Sequence, residues 1–261
     1  MDDALAPLPG VLKLVSHEVR WNLLQLLSRS DYRVQELVER LNLPQNLVSY
    51  HLKQLREGHL VTEHHSDADE RAIFYSLDVE LLQAGYSAAG ETLHPAVVGA
   101  VRGPERQDEV RRQAPLRVLF LCTENSARSQ MAEALMRHLS HGTVEAYSAG
   151  NRPAERVHPL ARRCLEEHGI ALGRAVPKHV DLFEGLHFDA IVTVCDRVRE
   201  SCPVFPGDPQ RVHWSFLDPA TVQGTEAERL RAFEQISLQL TTRLRLFLPI
   251  LARKKRSTRE S

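Results

Sequence analysis

A strand, a short loop and a helix follow one another around Cys122, and this feature constrains the fold most. The apolar run at residues 117–121 is typical of a buried strand and ends directly before the cysteine. Five residues separate Cys122 from Arg128, which opens a helical stretch. That spacing allows the loop to curl around a tetrahedral oxyanion, with its N–H groups and the helix N-terminus directed at the anion.

The loop also carries a candidate nucleophile. Arg128 offers a planar fork of donors to an oxyanion. The same positive field favours the thiolate form of Cys122, and Ser129 is placed to hydrogen-bond the sulfur. The predicted oxyanion-binding residues are Thr123, Glu124, Asn125, Ser126, Ala127, Arg128 and Ser129.

Strands and helices alternate through the second half of the chain. A second apolar strand is predicted at residues 190–194, and helices are predicted at 130–139, 159–168 and 226–248. This alternation predicts an α/β domain with a parallel sheet. We predict that the domain spans residues 116–252 and that a basic tail follows at 253–261.

All four cysteines, Cys122, Cys164, Cys195 and Cys202, lie in this half. Cys195 and Cys202 are seven residues apart, which in a helix would separate them by about 10 Å of rise. A disulfide requires Cα atoms within about 7 Å, so the segment would have to unwind or loop before they joined. This pattern favours a redox switch over an inert buried cysteine or a zinc site, for which the spacing is poor. Cys164 is interpreted as structural.

The Cys122 loop resembles that of low-molecular-weight tyrosine phosphatases and of thioredoxin-coupled arsenate reductases. The text "VTVCDRVRESCPVFPG", followed by His213-Trp214 and Asp218-Pro219-Ala220, resembles the reductases. The resemblance implies that Cys122 attacks arsenic held by Arg128 and that Asp218 is the general acid. Cys195 and Cys202 would then pass on the oxidation, with thioredoxin as the external reductant, no bound cofactor and no metal.

The chain departs from these relatives at two positions. Glu124 stands where glycine is common, so oxyanion affinity depends on whether its carboxylate points outward. Some relatives also bind a potassium ion near the loop, and Asn125, Glu133 and Ser148 match that pattern. Lys178 stands where an acidic residue is expected, and we predict that its ammonium group takes the place of the ion.

The first half predicts a different domain. Helical patterns, a turn at Asn42-Leu43-Pro44, a further helix and two β-rich runs follow in order. The text "RWNLLQLLSRSDYRVQELVERLNLPQNLVSYHLKQLREGHLV" and the later "RAIFYSL" resemble the winged helix-turn-helix repressors of the ArsR type. We assign residues 1–94 to this mostly α-helical domain and the polar residues 95–115 to a linker.

DNA recognition is predicted for the helix that begins at Pro44 and for the wing. Residues 1–100 hold 8 Lys/Arg and 14 Asp/Glu residues, so DNA binding must depend on local cations. The resemblance implies a homodimer, and the absence of cysteine from this half excludes a thiol-based arsenite sensor there. A metal site at His64, His65, Asp67, Asp69 and Glu70 is the alternative to a solvated wing tip. The predicted DNA-binding residues are Gln45, Asn46, Ser49, Tyr50, Lys53, Arg56 and Arg71.

Together the two halves predict a multidomain fusion of a repressor of arsenic-resistance genes with an arsenate reductase. Its predicted partners are arsenate and arsenite, thioredoxin and operator DNA. A cytoplasmic location without a membrane is expected, because the N-terminus is acidic and no apolar run approaches about 20 residues. Two alternatives remain open: a tyrosine phosphatase fused to a regulator, and a non-catalytic transcription factor that senses an oxyanion or redox state.

Overall fold

A computed structural model describes residues 8–69, 71–93, 115–199 and 202–257, with only the backbone described for 252–257. The chain divides into two compact units, Met1–Asp108 and Glu109–Ser261. Almost all of the predicted linker lies outside the described residues. Within the described part, no helix combines the length and apolar character that a membrane crossing needs.

The first unit is a winged helix-turn-helix, as the sequence predicts. Its antiparallel sheet has the strand order β1-β3-β2, and β2 and β3 form the wing, with Val61 opposite Leu77 and His65 opposite Ile73. The elements are α1 (Gly10–Val15), α2 (Glu18–Leu27), β1 (Tyr32–Arg33), α3 (Val34–Leu41), α4 (Gln45–Glu57), β2 (Val61–His65), β3 (Ile73–Leu77) and α5 (Val79–Leu93).

The turn between α3 and α4 follows from its local sequence. Asn42 ends α3 in the left-handed conformation, with φ of 52°, which asparagine tolerates better than most residues. Pro44 precedes the first residue of α4, where its missing N–H has no helical partner to lose. The buried residues of α4 recur at helical spacing and direct one face into the core, leaving the other face to solvent. They are Val48, His51, Leu52 and Leu55.

The second unit is an α/β domain with a four-stranded parallel sheet in the order β5-β4-β6-β7. The predicted fold class is therefore confirmed. The elements are β4 (Leu116–Cys122), α6 (Arg128–Ser140), β5 (Val144–Gly150), α7 (Pro159–Glu167), β6 (Ala190–Thr193), α8 (Asp196–Arg199), β7 (Gln210–His213) and α9 (Glu226–Ser257). Short 3₁₀ turns lie at Val180–Phe183 and Pro219–Thr221.

The structure also contains strands that the sequence patterns did not reveal. β1 is two residues long, and β5 and β7 contain polar residues that interrupt the apolar runs. The helix predicted at 226–248 continues past Pro249 to Ser257. Leu244, Phe247 and Leu251 are buried in the core, and this packing offsets the hydrogen bond that the proline removes.

Candidate active site and DNA-binding face

The parallel sheet brings Cys122 and Cys195 to the same edge. Cys122 is the last residue of β4, and Leu121 pairs with Thr193 at the end of the neighbouring β6. The N–H of Val194 donates to the carbonyl of Leu121 (2.8 Å), which continues the pairing beyond β6. Cys195 follows directly. Both thiols therefore lie at the carboxyl ends of adjacent strands, where open α/β sheets place their ligand sites.

Backbone hydrogen bonds orient the loop after Cys122. The N–H groups of Arg152, Ala154 and His158 donate to the carbonyls of Thr123, Glu124 and Ser126 at 2.8–2.9 Å. These carbonyls are held against the segment after β5, so they do not point into the loop. Such an arrangement leaves the interior of the loop to N–H groups, which suits an oxyanion.

Gly150 is a site residue that the sequence analysis missed. It pairs with Cys122 at the end of β5, and its N–H donates to the carbonyl of Lys178 (2.9 Å). A Cβ atom at this position would lie 2.4 Å from the Thr123 carbonyl oxygen and 2.9 Å from the Asn125 nitrogen. Only glycine allows the loop to approach the strand this closely. The signal in the sequence that could have indicated this role is the position of Gly150 at the end of β5, a segment in which polar and apolar residues are mixed.

A chain of hydrogen bonds holds Ser129 beside the Cys122 sulfur. The backbone N–H of Lys178 donates to Asn125 Oδ1 (2.8 Å), so the amide nitrogen of Asn125 faces the other way and donates to Ser129 Oγ (2.8 Å). Because Ser129 Oγ accepts that bond, its own proton is free to point at Cys122 Sγ, 2.8 Å away. The N–H of Asn125 also donates to Cys122 Sγ (3.2 Å). Both groups therefore lie within hydrogen-bonding distance of the Cys122 sulfur.

Asn125 has a conformation that shapes the loop. Its φ is 49°, in the left-handed region, and its side chain is fully buried. Gln130 Nε2 donates to Asn125 Oδ1 (3.0 Å) and to the carbonyl of Val176 (3.0 Å). The Asn125 side chain thus holds Ser129 in place, and oxyanion binding by Asn125 stays a prediction.

Arg128 is held by the segment that contains Asp218. Its Nη2 lies 2.9 Å from Asp218 Oδ2, and its Nη1 donates to the carbonyl of Phe216 (2.6 Å). Arg128 is 5% exposed, so the guanidinium is fixed rather than solvated. The second carboxylate oxygen of Asp218 accepts from the N–H of Ala220 (3.1 Å). The structure thus brings the predicted general acid next to the predicted oxyanion ligand.

Glu124 points away from the loop interior. Its side chain is exposed, and Oε2 accepts a hydrogen bond from Ser126 Oγ (3.2 Å). A carboxylate in this position remains hydrated and does not occupy the anion cradle. The side chains of Glu124 and Ser126, two of the predicted oxyanion residues, therefore hydrogen-bond to each other. Their backbone N–H groups are the candidate donors to an anion.

The predicted ammonium group at Lys178 lies beside Glu133. Lys178 Nζ is 3.3 Å from Glu133 Oε2, and Ser148 Oγ donates to the same oxygen. Arg137 Nη2 lies 2.6 Å from Glu133 Oε1. Glu133 already pairs with two cations, so these residues do not fit an additional potassium ion. Replacement of the ion by Lys178 stays a prediction.

Cys195 lies beneath the loop. Its side chain is fully buried, and its Sγ is 3.4 Å from the hydroxyl oxygen of Thr123, the residue next to Cys122. Burial raises the pKa of the Cys195 thiol to about 11, and the nearby Cys122 sulfur adds to the rise while the Arg128 guanidinium opposes it. At neutral pH Cys195 is therefore a thiol.

Cys202 is the half-buried member of the pair. Burial raises the pKa of its thiol, while Arg211, whose Nη1 lies 4.0 Å from Sγ, opposes the rise. The helical geometry assumed for this segment is wrong. α8 covers only Asp196–Arg199, and residues 202–205 have no regular structure, so helix rise does not set the Cys195–Cys202 separation. Residues 200–201 are outside the described part.

The fourth cysteine is separate from this group. Cys164 lies in α7, is fully buried and hydrogen-bonds to Ser237 on α9. Burial raises the pKa of its thiol. This environment supports the interpretation of Cys164 as a structural residue.

Comparison with known proteins assigns both units. Residues 117–257 match the family described as low molecular weight phosphotyrosine protein phosphatase. The chain belongs to this family. Residues 17–63 match the bacterial regulatory proteins of the arsR family, so an ArsR-type helix-turn-helix domain precedes the phosphatase-fold domain. The predicted resemblances to low-molecular-weight tyrosine phosphatases and to ArsR-type repressors are confirmed.

Proteins named arsenate reductase are among the relatives in this family. One from Shouchella clausii is 36% identical over 132 residues, which cover 50% of this chain and 93% of the relative. One from Bacillus subtilis is 35% identical over 130 residues, with the same coverage. A solved arsenate reductase structure from Archaeoglobus fulgidus is 36% identical and covers 49% of this chain and 98% of its own, with a TM-score of 0.40.

The predicted DNA-binding side chains all lie on exposed positions of the first unit. Tyr50, 56% exposed, packs edge-on against His51, and Arg71 lies in the wing. Arg56 forms an ion pair with Glu63 of β2, which the sequence analysis did not foresee. Exposed on α4 are Gln45, Asn46, Ser49, Tyr50, Lys53 and Arg56.

A metal site at the wing tip was the alternative to a solvated tip. Among the described residues, no group of three or more His, Cys, Asp or Glu side chains could hold a metal ion. Glu70, one member of the alternative reading, is outside the described part. Ser66 instead orders the tip by accepting hydrogen bonds from the N–H groups of Ala68 (3.1 Å) and Asp69 (3.4 Å).

Proposed function

We propose that the second unit is an arsenate reductase that works through a relay of Cys122, Cys195 and Cys202. The observation that carries this proposal is the position of the Cys195 sulfur, 3.4 Å from the Thr123 hydroxyl and directly beneath the nucleophile loop. A phosphatase needs the loop and an acid but no second thiol there. The relatives named arsenate reductase add support.

In the first step the Cys122 thiolate attacks arsenic, so that an S–As bond forms and an As–O bond breaks. Ser129 and the Asn125 N–H hold the sulfur in place. The oxyanion competes with Asp218 for the guanidinium of Arg128. Displaced from Arg128, the Asp218 carboxylate takes up a proton from solvent and passes it to the departing arsenate hydroxyl, which leaves as water.

In the second step the Cys195 sulfur attacks the Cys122 sulfur. The S–S bond forms, the S–As bond breaks and its electron pair stays on arsenic, so As(V) becomes As(III) while two thiols become a disulfide. The proton of the Cys195 thiol passes to an arsenite oxygen. Because burial keeps Cys195 protonated at neutral pH, this thiol is protected from other oxidants before arsenate binds.

In the third step the Cys202 thiolate attacks the Cys195 sulfur and releases Cys122 as a thiolate. The oxidation then resides in a Cys195–Cys202 disulfide that includes the half-exposed cysteine. We propose thioredoxin as the external dithiol that reduces it, and in doing so becomes a disulfide itself. No bound cofactor takes part in this scheme.

We further propose that the first unit is a homodimeric repressor of arsenic-resistance genes that binds operator DNA through α4 and the wing. The exposed polar face of α4 supports this assignment. Since residues 1–100 contain no cysteine, arsenate occupancy or the thiol state of the second unit is the proposed inducing signal. Operator binding that is unchanged by arsenate, arsenite and thiol oxidation would contradict this part.

The decisive experiment measures arsenate-dependent oxidation of NADPH in the presence of thioredoxin and thioredoxin reductase. We expect Cys122→Ser, Cys195→Ser and Cys202→Ser each to lower turnover by about 100-fold or more, because each removes a nucleophile. Cys164→Ser is the matched control, and its rate is expected to stay within about twofold of the wild type, since this thiol makes no contact that the relay requires.

Two results would favour the alternatives. The phosphatase alternative is favoured if the protein hydrolyses p-nitrophenyl phosphate rapidly and does not turn over arsenate. In that case Cys195→Ser should leave the rate of hydrolysis unchanged. A non-catalytic sensor is favoured if the protein binds operator DNA, arsenate changes that binding, and neither arsenate nor p-nitrophenyl phosphate is consumed.

A further inference from the structure

A buried chain of hydrogen bonds surrounds Cys195 and has no role in the relay described above. His213 Nδ1 lies 2.8 Å from Thr193 Oγ1, and His213 Nε2 lies 2.9 Å from Asp196 Oδ1. Exposure is 5% for Thr193, 5% for Asp196 and 4% for His213. Polar groups this deeply buried are costly unless they are paired, so the chain constrains the local backbone.

The sheet explains how one imidazole reaches both partners. Thr193 and His213 are paired in register at the ends of the parallel strands β6 and β7. Asp196 is the first residue of α8 and lies beyond the end of β6. His213 therefore joins the residue two positions before Cys195 to the residue one position after it.

The hydrogen bonds define the orientation of the ring. An ionised Asp196 accepts only, so His213 Nε2 carries the proton that it donates to Oδ1. Nδ1 faces the Thr193 hydroxyl oxygen, 2.8 Å away. Thr193 Oγ1 is also 3.4 Å from the carbonyl of Val212, a longer and weaker contact. Each ring nitrogen thus has a partner, and rotation of the ring would break both bonds.

The segment held in this way positions the Cys195 sulfur. Sγ contacts the Thr123 hydroxyl at 3.4 Å, and the backbone N–H of Val198 also hydrogen-bonds to it. The relay makes opposite demands on this segment. Cys195 must remain beneath the loop to attack Cys122, and must then become accessible to Cys202.

We propose that His213 is a positioning residue that clamps Cys195 beneath the oxyanion loop through Thr193 and Asp196. The clamp favours the first disulfide, Cys122–Cys195, and retains the thiol in the buried position until that bond has formed. This inference rests on the proposed relay, but the accessibility of Cys195 can be measured without arsenate.

The test uses the full chain with Cys202→Ser, which stops the relay at the Cys122–Cys195 disulfide. Into this parent we introduce either His213→Gln or the milder Thr193→Val. After addition of arsenate, samples are quenched with iodoacetamide and the disulfide is quantified by peptide mass spectrometry. Thr241→Val is the matched control, because its hydroxyl bonds within α9 to the Ser237 carbonyl (2.8 Å).

We expect both clamp variants to form the disulfide at least about tenfold more slowly, since a misplaced reacting group loses the advantage of proximity. Without arsenate, alkylation of Cys195 should become about tenfold faster, as the segment opens more often. Protection of Cys122 from alkylation by inorganic phosphate should stay within about twofold of the parent. A general loss of structure would instead weaken that protection as well.

The proposal is overturned if Cys195 alkylation and disulfide formation in both variants match the Thr241→Val control. It is also overturned if phosphate protection falls in parallel with the disulfide rate, which indicates damage to the whole site. Should the Cys202→Ser parent form no disulfide with arsenate, the reductase proposal fails. The Cys195 alkylation rates then still decide whether His213 is a clamp.

Discussion

The substitution Gly150→Ala tests whether close contact between β5 and the nucleophile loop creates the oxyanion site. The new Cβ would lie 2.4 Å from the Thr123 carbonyl oxygen, and 2.9 Å from both the Asn125 nitrogen and the Cys122 oxygen. Ordinary contacts begin near 3.4 Å, so backbone atoms must move apart by about 1 Å. Overpacking of this kind costs about 1–3 kcal/mol.

A smaller opposing effect comes from the unfolded chain. The φ of Gly150 is not in the left-handed region, so alanine is sterically tolerated by its own backbone and gains about 0.4–1 kcal/mol by restricting the unfolded state. We expect a net loss of about 0–2.6 kcal/mol in unfolding free energy. The larger effect should be on the loop, because a displacement of about 1 Å in a catalytic group can lower the rate about 100-fold.

The assay combines urea unfolding with the protection of Cys122 from iodoacetamide by increasing inorganic phosphate. Gly10→Ala serves as the control, since a Cβ there meets nothing within 4 Å. We expect Gly150→Ala to raise the phosphate Kd by about tenfold or more, equivalent to about 1.4 kcal/mol. A Kd within about twofold of the wild type, with unchanged stability, would refute the proposed role of this contact.

Three further predictions concern charges. Arg211→Gln should raise the pKa of the Cys202 thiol, because the guanidinium opposes the effect of burial, and an unchanged pH profile of Cys202 alkylation would contradict this. Burial lowers the pKa of His51 below 6.5, and the neighbouring charges of His17 and Arg20 add to this, so the unfolded state binds the proton more readily. Urea unfolding of the first unit should show stability falling as pH drops below about 6.5, and His51→Phe should flatten this dependence. Finally, Glu63→Gln removes the ion-pair partner of Arg56 and so leaves Arg56 able to contact a DNA phosphate. Fluorescence anisotropy should then show tighter DNA binding. The slope of log binding constant against log salt concentration should become steeper by about 0.9.

The outline of the fold could be predicted because its periodic patterns are strong. α4 has apolar residues at helical spacing, and β4 is a continuous apolar strand before Cys122. β5 and β7 escaped prediction because their burial depends on neighbours that are remote in sequence. The helix predicted at 226–248 extends beyond Pro249, because Phe247 and Leu251 pack against the core.

The candidate site, like the fold, was predicted in part from the sequence. The types and spacing of Cys122, Arg128 and Cys195 predict an oxyanion-binding loop and a second thiol, because the chemistry of these side chains depends on their residue type. The helical interpretation of the Cys195–Cys202 segment was wrong, since neither cysteine lies in a helix. Cys164 has the same reactive group as the others but is buried between α7 and α9.

By itself the sequence determined the two domain types, the nucleophile loop and the cysteines available to a relay, because those depend on local order and residue chemistry. Only the tertiary structure decided that Glu124 faces outward, that Gly150 must lack a side chain and that Asn125 holds Ser129 beside the Cys122 sulfur. It also brought His213 between Thr193 and Asp196. These features arise where adjacent parallel strands end together, and strand order is set by long-range packing rather than by any local pattern.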